Sequence, residues 1–279
     1  MNVGFIGTGS MGSILIEAFI RSNALHAEQI IAGNRTRSKA EKLAEQYPGI
    51  RVADSNAEIA ADSTIVFICV KPMEYKKVID EISGVMSADQ IVVSITSPVL
   101  IKHLEEMLPC KIAKVIPSIT NYELSGATLC MYGNRMGQED RELLESLLKQ
   151  ISTPMPVSEQ YTRIISDLSS CGPAFLAFFI RKFIEAAVAK TGIPEAEATL
   201  LASQMVVGTG KLLTSGGFTP ETLERRVAVP GGITEAALKL LERELCGVFD
   251  QLVDTTHEKY DEDLLKVEMN FLEQQADQH

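Results

Sequence analysis

Positive charge, cysteine and long uninterrupted apolar runs are all scarce in this chain, and each shortage removes a class of function. The 279 residues carry 26 Lys and Arg against 37 Asp and Glu, a formal net charge of −11. So acidic a balance argues against a general nucleic-acid or anionic-membrane binder, while a local basic patch can still hold one phosphate. The cysteines Cys69, Cys110, Cys130, Cys171 and Cys246 are odd in number, and no CxxC pair occurs. Neither a disulfide framework nor a zinc site is expected; several sit in apolar runs, as small core residues of a reducing compartment do. No metal is expected elsewhere. The most apolar helical stretch, Phe175 to Ala189, contains Arg181, Lys182 and Glu185, so it reads as a buried or interface helix and not a membrane span. A strand that begins at Val3 leaves no space for a signal peptide, and the expected compartment is the cytoplasm. Repeats and low-complexity linkers are absent. With 46% apolar and 23% charged residues, the chain has the composition of a globular protein long enough for two domains.

The first twelve residues organise what is there. Val3-Gly4-Phe5-Ile6 is a short apolar run, and Gly7-Thr8-Gly9-Ser10-Met11-Gly12 follows at once. Ile14, Leu15, Ala18 and Phe19 then recur at helical spacing. Strand, glycine turn and helix in this order read as a dinucleotide cradle: one glycine for the tight turn, one for close approach of the pyrophosphate, one for helix–strand packing; the plain alternative is an ordinary strand–helix turn. The second strand, Gln29 to Gly33, ends in Asn34, Arg35, Thr36 and Arg37. An NAD-preferring site would place an acid there for the ribose 2′-hydroxyl. Guanidinium forks and a hydroxyl suit a 2′-phosphate instead, which favours NADP over NAD; the plain alternative is a solvated basic helix start.

Strand and helix signals then alternate. Ser38–Tyr47 reads as a helix ended by Pro48-Gly49, Ile50–Ala53 as a strand and Asn56–Ala61 as a helical turn. Thr64–Val70 is a β-branched apolar run, a central strand buried on both faces, with Lys71-Pro72 just past its end, where open α/β sheets bind ligands. Strands at Gln90–Ile95, Lys111–Ile116 and Ala127–Tyr132 follow, with helices at Met73–Ile82, Val99–Met107 and Gln138–Lys149. The expected fold is α/β: a Rossmann-type doubly wound parallel sheet over 1–157, followed by an all-helical domain over 158–279.

In the helical half, Phe175, Phe178, Phe179 and Phe183 line one helix, and Ala198, Ala202, Val206 and Gly210 give the next a small-residue face suited to close packing. The charged tail from Asp261 reads as a solvated helical end or an oligomer contact. Val229-Pro230-Gly231-Gly232-Ile233-Thr234 is the second place for chemistry. Its consecutive backbone N–H groups at a helix start can hold a carboxylate; an ordinary N-cap at Thr234 fits the spacing equally well.

These pieces together resemble the pyrroline-5-carboxylate reductase family over roughly residues 1 to 260, and most closely its late-competence, ComER-type branch. The carrying stretches are Gly4 to Gly12, Asp54-Ser55-Asn56, Val70-Lys71-Pro72, Cys171-Gly172-Pro173-Ala174 and Pro230 to Thr234. The resemblance implies NADPH-dependent reduction of 1-pyrroline-5-carboxylate to proline by an interlocked dimer. It implies that Gly7, Thr8, Gly9, Ser10, Met11 and Gly12 surround the pyrophosphate, and that Asn34, Arg35 and Thr36 take the 2′-phosphate. Asn56 would meet the ribose region, and Val70, Lys71 and Pro72 would lie by the nicotinamide end. The substrate would be held by Gly231, Gly232, Ile233 and Thr234 with Cys171, Thr234 acting as catalytic donor to the ring nitrogen.

The departures from the family pattern cluster on the substrate side. Ile119, Val229 and Ile233 stand where small polar groups are usual, and Thr96-Ser97 replaces Ala-Gly. The cofactor motifs are intact. Two alternatives therefore remain beside the leading reading: a relative acting on another imine, and a non-catalytic NADP-binding regulator. A β-hydroxyacid dehydrogenase fits less well, because the residues around Lys182 do not match that family's catalytic lysine.

Overall fold

The computed structural model describes residues 1–276, with side chains through Leu272. Eight strands form one sheet: β1 (Val3–Ile6), β2 (Ile30–Gly33), β3 (Arg51–Val52), β4 (Ile65–Ile68), β5 (Ile91–Ser94), β6 (Lys111–Ile116), β7 (Ala127–Tyr132) and β8 (Thr153–Pro156). Their order is β3-β2-β1-β4-β5-β6-β7-β8. The chain reverses direction across the sheet between β1 and β4, and ligand crevices of open α/β folds form at that switch point.

All neighbours are parallel except β6 and β7. The antiparallel pair departs from the all-parallel expectation, and its cause is local. Only a 3₁₀ stretch, Ile119–Glu123, separates the two strands, too little chain for the crossover that parallel pairing requires. Strand β8 carries Pro154 and Pro156 and escaped the sequence reading for that reason; proline removes a ladder donor and is tolerated at a sheet edge, where β8 lies.

Six helices cover the sheet: α1 (Ser10–Arg21), α2 (Arg37–Gln46), α3 (Asn56–Ala61), α4 (Tyr75–Ile82), α5 (Ile101–Met107) and α6 (Gln138–Leu148). Strands β1, β4 and β5 are buried at every position, as parallel strands covered on both faces must be. One face packs Phe5, Phe19 and Phe67, with Phe5 stacked on Phe67 at 5.1 Å between centroids. The other face packs Ile6, Ile68, Tyr75 and Ile79. Next come α7 (Thr162–Ser166), a π-helical turn at Asp167–Cys171, α8 (Gly172–Thr191), α9 (Glu195–Thr214), α10 (Pro220–Val227), α11 (Ile233–Glu244) and α12 (Val248–Ala276).

Contacts divide the chain into two compact units. The first is Met1–Pro173 with the chain from Thr255 onward; the second is Ala174–Asp254. The C-terminal part of α12 is therefore part of the sheet unit. Val267 and Phe271, one turn apart, are buried in the core, and the Phe271 ring stacks on His103 at 5.1 Å. Asn270 Nδ2 donates to the Met73 carbonyl at 3.5 Å, and Lys102 pairs with Glu268 at 3.7 Å. The tail is thus a docked strap where the charged sequence suggested a solvated end or an oligomer contact. Two apolar residues at helical spacing suffice to bury one stripe of an otherwise charged helix. Residues 277–279 lie outside the described residues.

Burial holds the His103 imidazole below its ordinary value of 6.5, and Lys102 acts in the same direction against Glu268 and Glu106. Its Nδ1 is buried without a partner among the described residues. In the window below 6.5 the unfolded chain binds the proton more readily than the folded one, so stability falls as pH falls through it. Thermal unfolding from about pH 7.5 to about pH 5 should show a declining Tm, and His103→Phe should flatten that decline. An unchanged slope in the variant would remove His103 as its source.

In the second unit, Phe179 packs beside Phe178 and Phe249 at 6.0 and 6.1 Å. Phe183, Leu200 and Leu201 remain more than 60% exposed, an apolar surface of the kind that marks a protein interface. No helix among the described residues is long and apolar enough to cross a membrane. The cysteines divide: Cys110 and Cys130 are buried as expected, Cys69 and Cys171 are half-buried, and Cys246 is exposed.

Candidate active site

The glycine turn has the geometry of a phosphate cradle. Gly7 takes φ +101°, and a Cβ there would lie 2.7 Å from the Cys69 carbonyl oxygen. Its N–H donates to the Gly33 carbonyl at 2.8 Å, which joins the tips of β1 and β2. A Cβ on Gly12 would lie 2.1 Å from the Gly7 carbonyl, so α1 can start this close to β1 only without a side chain. Gly9 differs: apart from its chain neighbours, no atom of the described residues lies within 4 Å of its Cβ position. It is the N-cap of α1, with no side-chain cap, so the first-turn N–H groups of Ser10, Met11 and Gly12 face this open side. Two glycines serve the fold, and the third keeps space for a ligand. The Thr8 hydroxyl is buried beside them without a protein partner among the described residues.

Asn34 fastens the cradle to the next element. Its Oδ1 accepts from the Thr8 N–H at 3.1 Å, and its Nδ2 donates to the Thr36 carbonyl at 3.1 Å. A cleft of about 560 Å³ opens along the C-terminal ends of β1, β2 and β4. Gly7, Gly9, Asn34, Arg35, Thr36, Asn56, Val70 and Lys71 all line it. Thr8, Ser10, Met11 and Gly12 belong to the turn and helix start beside it, and Pro72 opens the 3₁₀ turn Pro72–Glu74 that follows Lys71. The structure thus brings the expected cofactor residues together at the switch point.

The basic groups at the end of β2 are not equivalent. Arg37 is held by two carboxylates, Glu41 at 2.8 Å and Asp54, and works as a strap between α2 and the loop before α3. Arg35 reaches into solvent, its side chain 80% exposed, with Glu74 as partner at 3.0 Å. Asn56 donates to Glu81 at 2.6 Å. Sequence reasoning missed Lys77, Glu74 and Glu81, which also line the cleft. They arrive from the far side of the sheet's switch point, and no local motif marks them. No carboxylate stands at the end of β2, and the open space at Gly9, the free helix start and the exposed Arg35 together fit an NADP dinucleotide.

Behind the cleft, the Tyr75 hydroxyl donates to the Ile68 carbonyl at 2.7 Å and accepts from Ser94 Oγ at 3.1 Å and the Ile95 N–H at 3.2 Å, which ties the ends of β4 and β5. Burial pushes its phenol well above the ordinary range. Lys114 on β6 is fully buried; its ammonium donates to Glu159 at 2.5 Å and to the Ser97 carbonyl at 3.1 Å. Burial lowers its pKa against the pull of Glu159. This node joins β6, the loop after β5 and the segment before α7. Close by in the first unit, Asp167 accepts from Arg163 at 2.7 Å and from Thr256 at 2.7 Å, and Arg163 also reaches Cys171 Sγ at 3.2 Å. Cys171 therefore ends the π-helical turn as an acceptor for a guanidinium. Such turns recur at functional sites.

In the second unit, Gly231, Gly232, Ile233 and Thr234 form one turn at the start of α11. Gly231 takes φ +74°, and its N–H donates to the Glu235 carboxylate at 2.7 Å. Gly232 donates to the Val229 carbonyl at 2.9 Å and is itself the N-cap. Two of the consecutive N–H groups are thus engaged inside the chain, and the first-turn groups of Ile233 and Thr234 remain. Thr234 is not the cap, and its hydroxyl has no hydrogen-bond partner among the described residues. Ile233 is 92% exposed.

Comparison with known proteins places this architecture. Residues 159–263 match the family model for pyrroline-5-carboxylate reductase dimerisation, and residues 2–98 match the model for NADP oxidoreductase, coenzyme F420-dependent. ComE operon protein 4 of Bacillus subtilis is 39% identical over 97% of this chain and 99% of its own length. Pyrroline-5-carboxylate reductase 3 of Macaca fascicularis is 31% identical, covering 86% of this chain and 88% of its own. The crystal structure of Plasmodium falciparum pyrroline carboxylate reductase with NADP bound shares the fold, with a TM-score of 0.82 at 23% identity over 97% and 98% of the two chains. Fold and cleft together define an NADP-binding oxidoreductase with a Rossmann-type sheet and a helical C-terminal domain. Within that class, the chain belongs to the pyrroline-5-carboxylate reductase family.

Proposed function

We propose that this protein reduces 1-pyrroline-5-carboxylate to proline at the expense of NADPH. The observation that carries the reading is the complete dinucleotide cradle at Gly7, Gly9 and Gly12, open at Gly9, in a chain of this family. The cofactor, when bound, supplies the hydride for the imine carbon; the residues supply position and charge. Gly9 and the start of α1 take the pyrophosphate, Arg35 and Thr36 the 2′-phosphate, with Asn34 holding the loop that presents them. Asn56 serves the ribose region, and Val70, Lys71 and Pro72 the nicotinamide end. The substrate carboxylate binds the free first-turn N–H groups of Ile233 and Thr234, in the turn whose Gly231 N–H already holds the Glu235 carboxylate. The Thr234 hydroxyl, without a hydrogen-bond partner among the described residues, is the donor toward the ring nitrogen, and Cys171 keeps the substrate contact that the family resemblance implies for it.

In this reading residues 1–157 serve the cofactor and 158–279 serve substrate and dimerisation. A second copy covers the exposed apolar residues of α8 and α9. The compartment that suits free thiols and a soluble metabolite is the cytoplasm. Purified protein with NADPH and pyrroline-5-carboxylate should consume the cofactor and yield proline. NADPH binding without consumption would favour the second reading, another imine or a regulatory role, which draws on the exposed apolar Val229 and Ile233 at the substrate turn. Lys182 gives the dehydrogenase alternative no support, since its ammonium pairs with Glu185 at 2.8 Å.

A further inference from the structure

We infer that Glu74 sets the balance between NADPH and NADH by competing with the cofactor's 2′-phosphate for Arg35. The inference rests on the assignment of Arg35 as the 2′-phosphate fork. Families of dinucleotide folds normally choose between the two cofactors with the residue at the end of β2: an acid for the 2′-hydroxyl, a cation for the 2′-phosphate. Here that position offers the cation, yet an acid reaches the same place from the turn after β4. Glu74 Oε1 lies 3.0 Å from Arg35 Nη1, and both side chains line the cleft.

The pairing pattern around the cleft makes this carboxylate distinct. Asp54 is engaged by Arg37, and Glu81 accepts from Asn56 at 2.6 Å; both are committed to cations or donors that the fold itself holds in place. Arg37 in turn has two carboxylates and no spare charge to offer. Arg35 has one partner only among the described residues, and its side chain is 80% exposed. Its pair with Glu74, 41% exposed, is a solvent-facing ion pair of the weak kind that a dianion can displace.

The charge balance differs for the two cofactors. A 2′-phosphate must either displace Glu74 from the guanidinium or share it at close range with a like charge. A ribose 2′-hydroxyl needs neither, and Glu74 can accept its hydrogen bond. The acid thus taxes NADPH and leaves NADH untaxed, so the protein accepts both more evenly than Arg35 alone would allow.

Dissociation constants for NADPH and NADH, read from cofactor fluorescence, test this on the full chain and on the variants Glu74→Gln and Arg35→Ala. Glu74→Gln keeps size and hydrogen-bonding capacity and removes the charge. It should tighten NADPH about three- to fivefold, the scale of one exposed like charge, with NADH unchanged or weaker. Arg35→Ala should weaken NADPH selectively, and in that background Glu74→Gln should lose its effect on the ratio. A selective Arg35→Ala loss together with an unchanged NADPH:NADH ratio in Glu74→Gln overturns the role of Glu74 alone. Equal loss of both cofactors in Arg35→Ala overturns the 2′-phosphate assignment and the competition built on it.

Discussion

Gly9→Ala should abolish tight cofactor binding while leaving the fold standing. Apart from its chain neighbours, no atom of the described residues lies within 4 Å of the added methyl group, and the residue has ordinary extended backbone at φ −75°. The only folding cost is a poorer helix cap, about 1 kcal/mol, which lowers Tm by roughly 2–4 °C in a domain of this size. On the proposed assignment the methyl group instead fills the space that the pyrophosphate needs. Displacing the phosphate costs at least two charge-assisted hydrogen bonds at roughly 1.5 kcal/mol each, about 100-fold or more in NADPH affinity. Gly12→Ala is the contrast. Its Cβ would meet the Gly7 carbonyl at 2.1 Å, so fold and binding should fail together. Fluorescence titration alongside thermal melts separates the two. A Gly9→Ala protein that binds NADPH normally would place the pyrophosphate elsewhere.

Thr234→Ala should separate chemistry from cofactor binding. The hydroxyl carries no structural bond among the described residues, and the helix is capped by Gly232, not by Thr234. Its loss should therefore leave stability and NADPH affinity close to those of the parent. If the hydroxyl delivers the proton to the imine nitrogen, kcat with pyrroline-5-carboxylate falls about 100-fold, the lower range for a positioned proton donor. Thr234→Ser should recover most of the rate. A rate unchanged in Thr234→Ala would reassign proton delivery to water or to another group. A fall in Tm would return Thr234 to a structural role.

The legible parts of the chain were those with short-range signatures. The cradle could be read because each of its glycines follows from a local demand, and β1, β4 and β5 because strands buried on both faces are continuous apolar runs. Eight of the residues named in advance as cofactor candidates line the cleft. What stayed hidden depends on partners far along the chain. Lys114 looks like a surface position in the strand Lys111–Ile116, and only Glu159, 45 residues on, makes its burial intelligible. Glu74 gives no sign of facing Arg35, because the turn after β4 meets the end of β2 only once the sheet has formed. In the glycine turn before α11, sequence shows the N–H groups but not that Glu235 and the Val229 carbonyl occupy two of them. The apolar part of the docking of α12 rests, among the described residues, on Val267 and Phe271, a stripe too sparse to stand out from its charged surroundings.

Isotope transfer is the direct measure of hydride transfer to a cyclic imine. The protein is incubated with NADPH deuterated at the transferring position and with pyrroline-5-carboxylate, and the product is examined by mass spectrometry. Proline carrying one deuterium on the former imine carbon should form in step with cofactor oxidation. Tight NADPH binding with no labelled proline would contradict it.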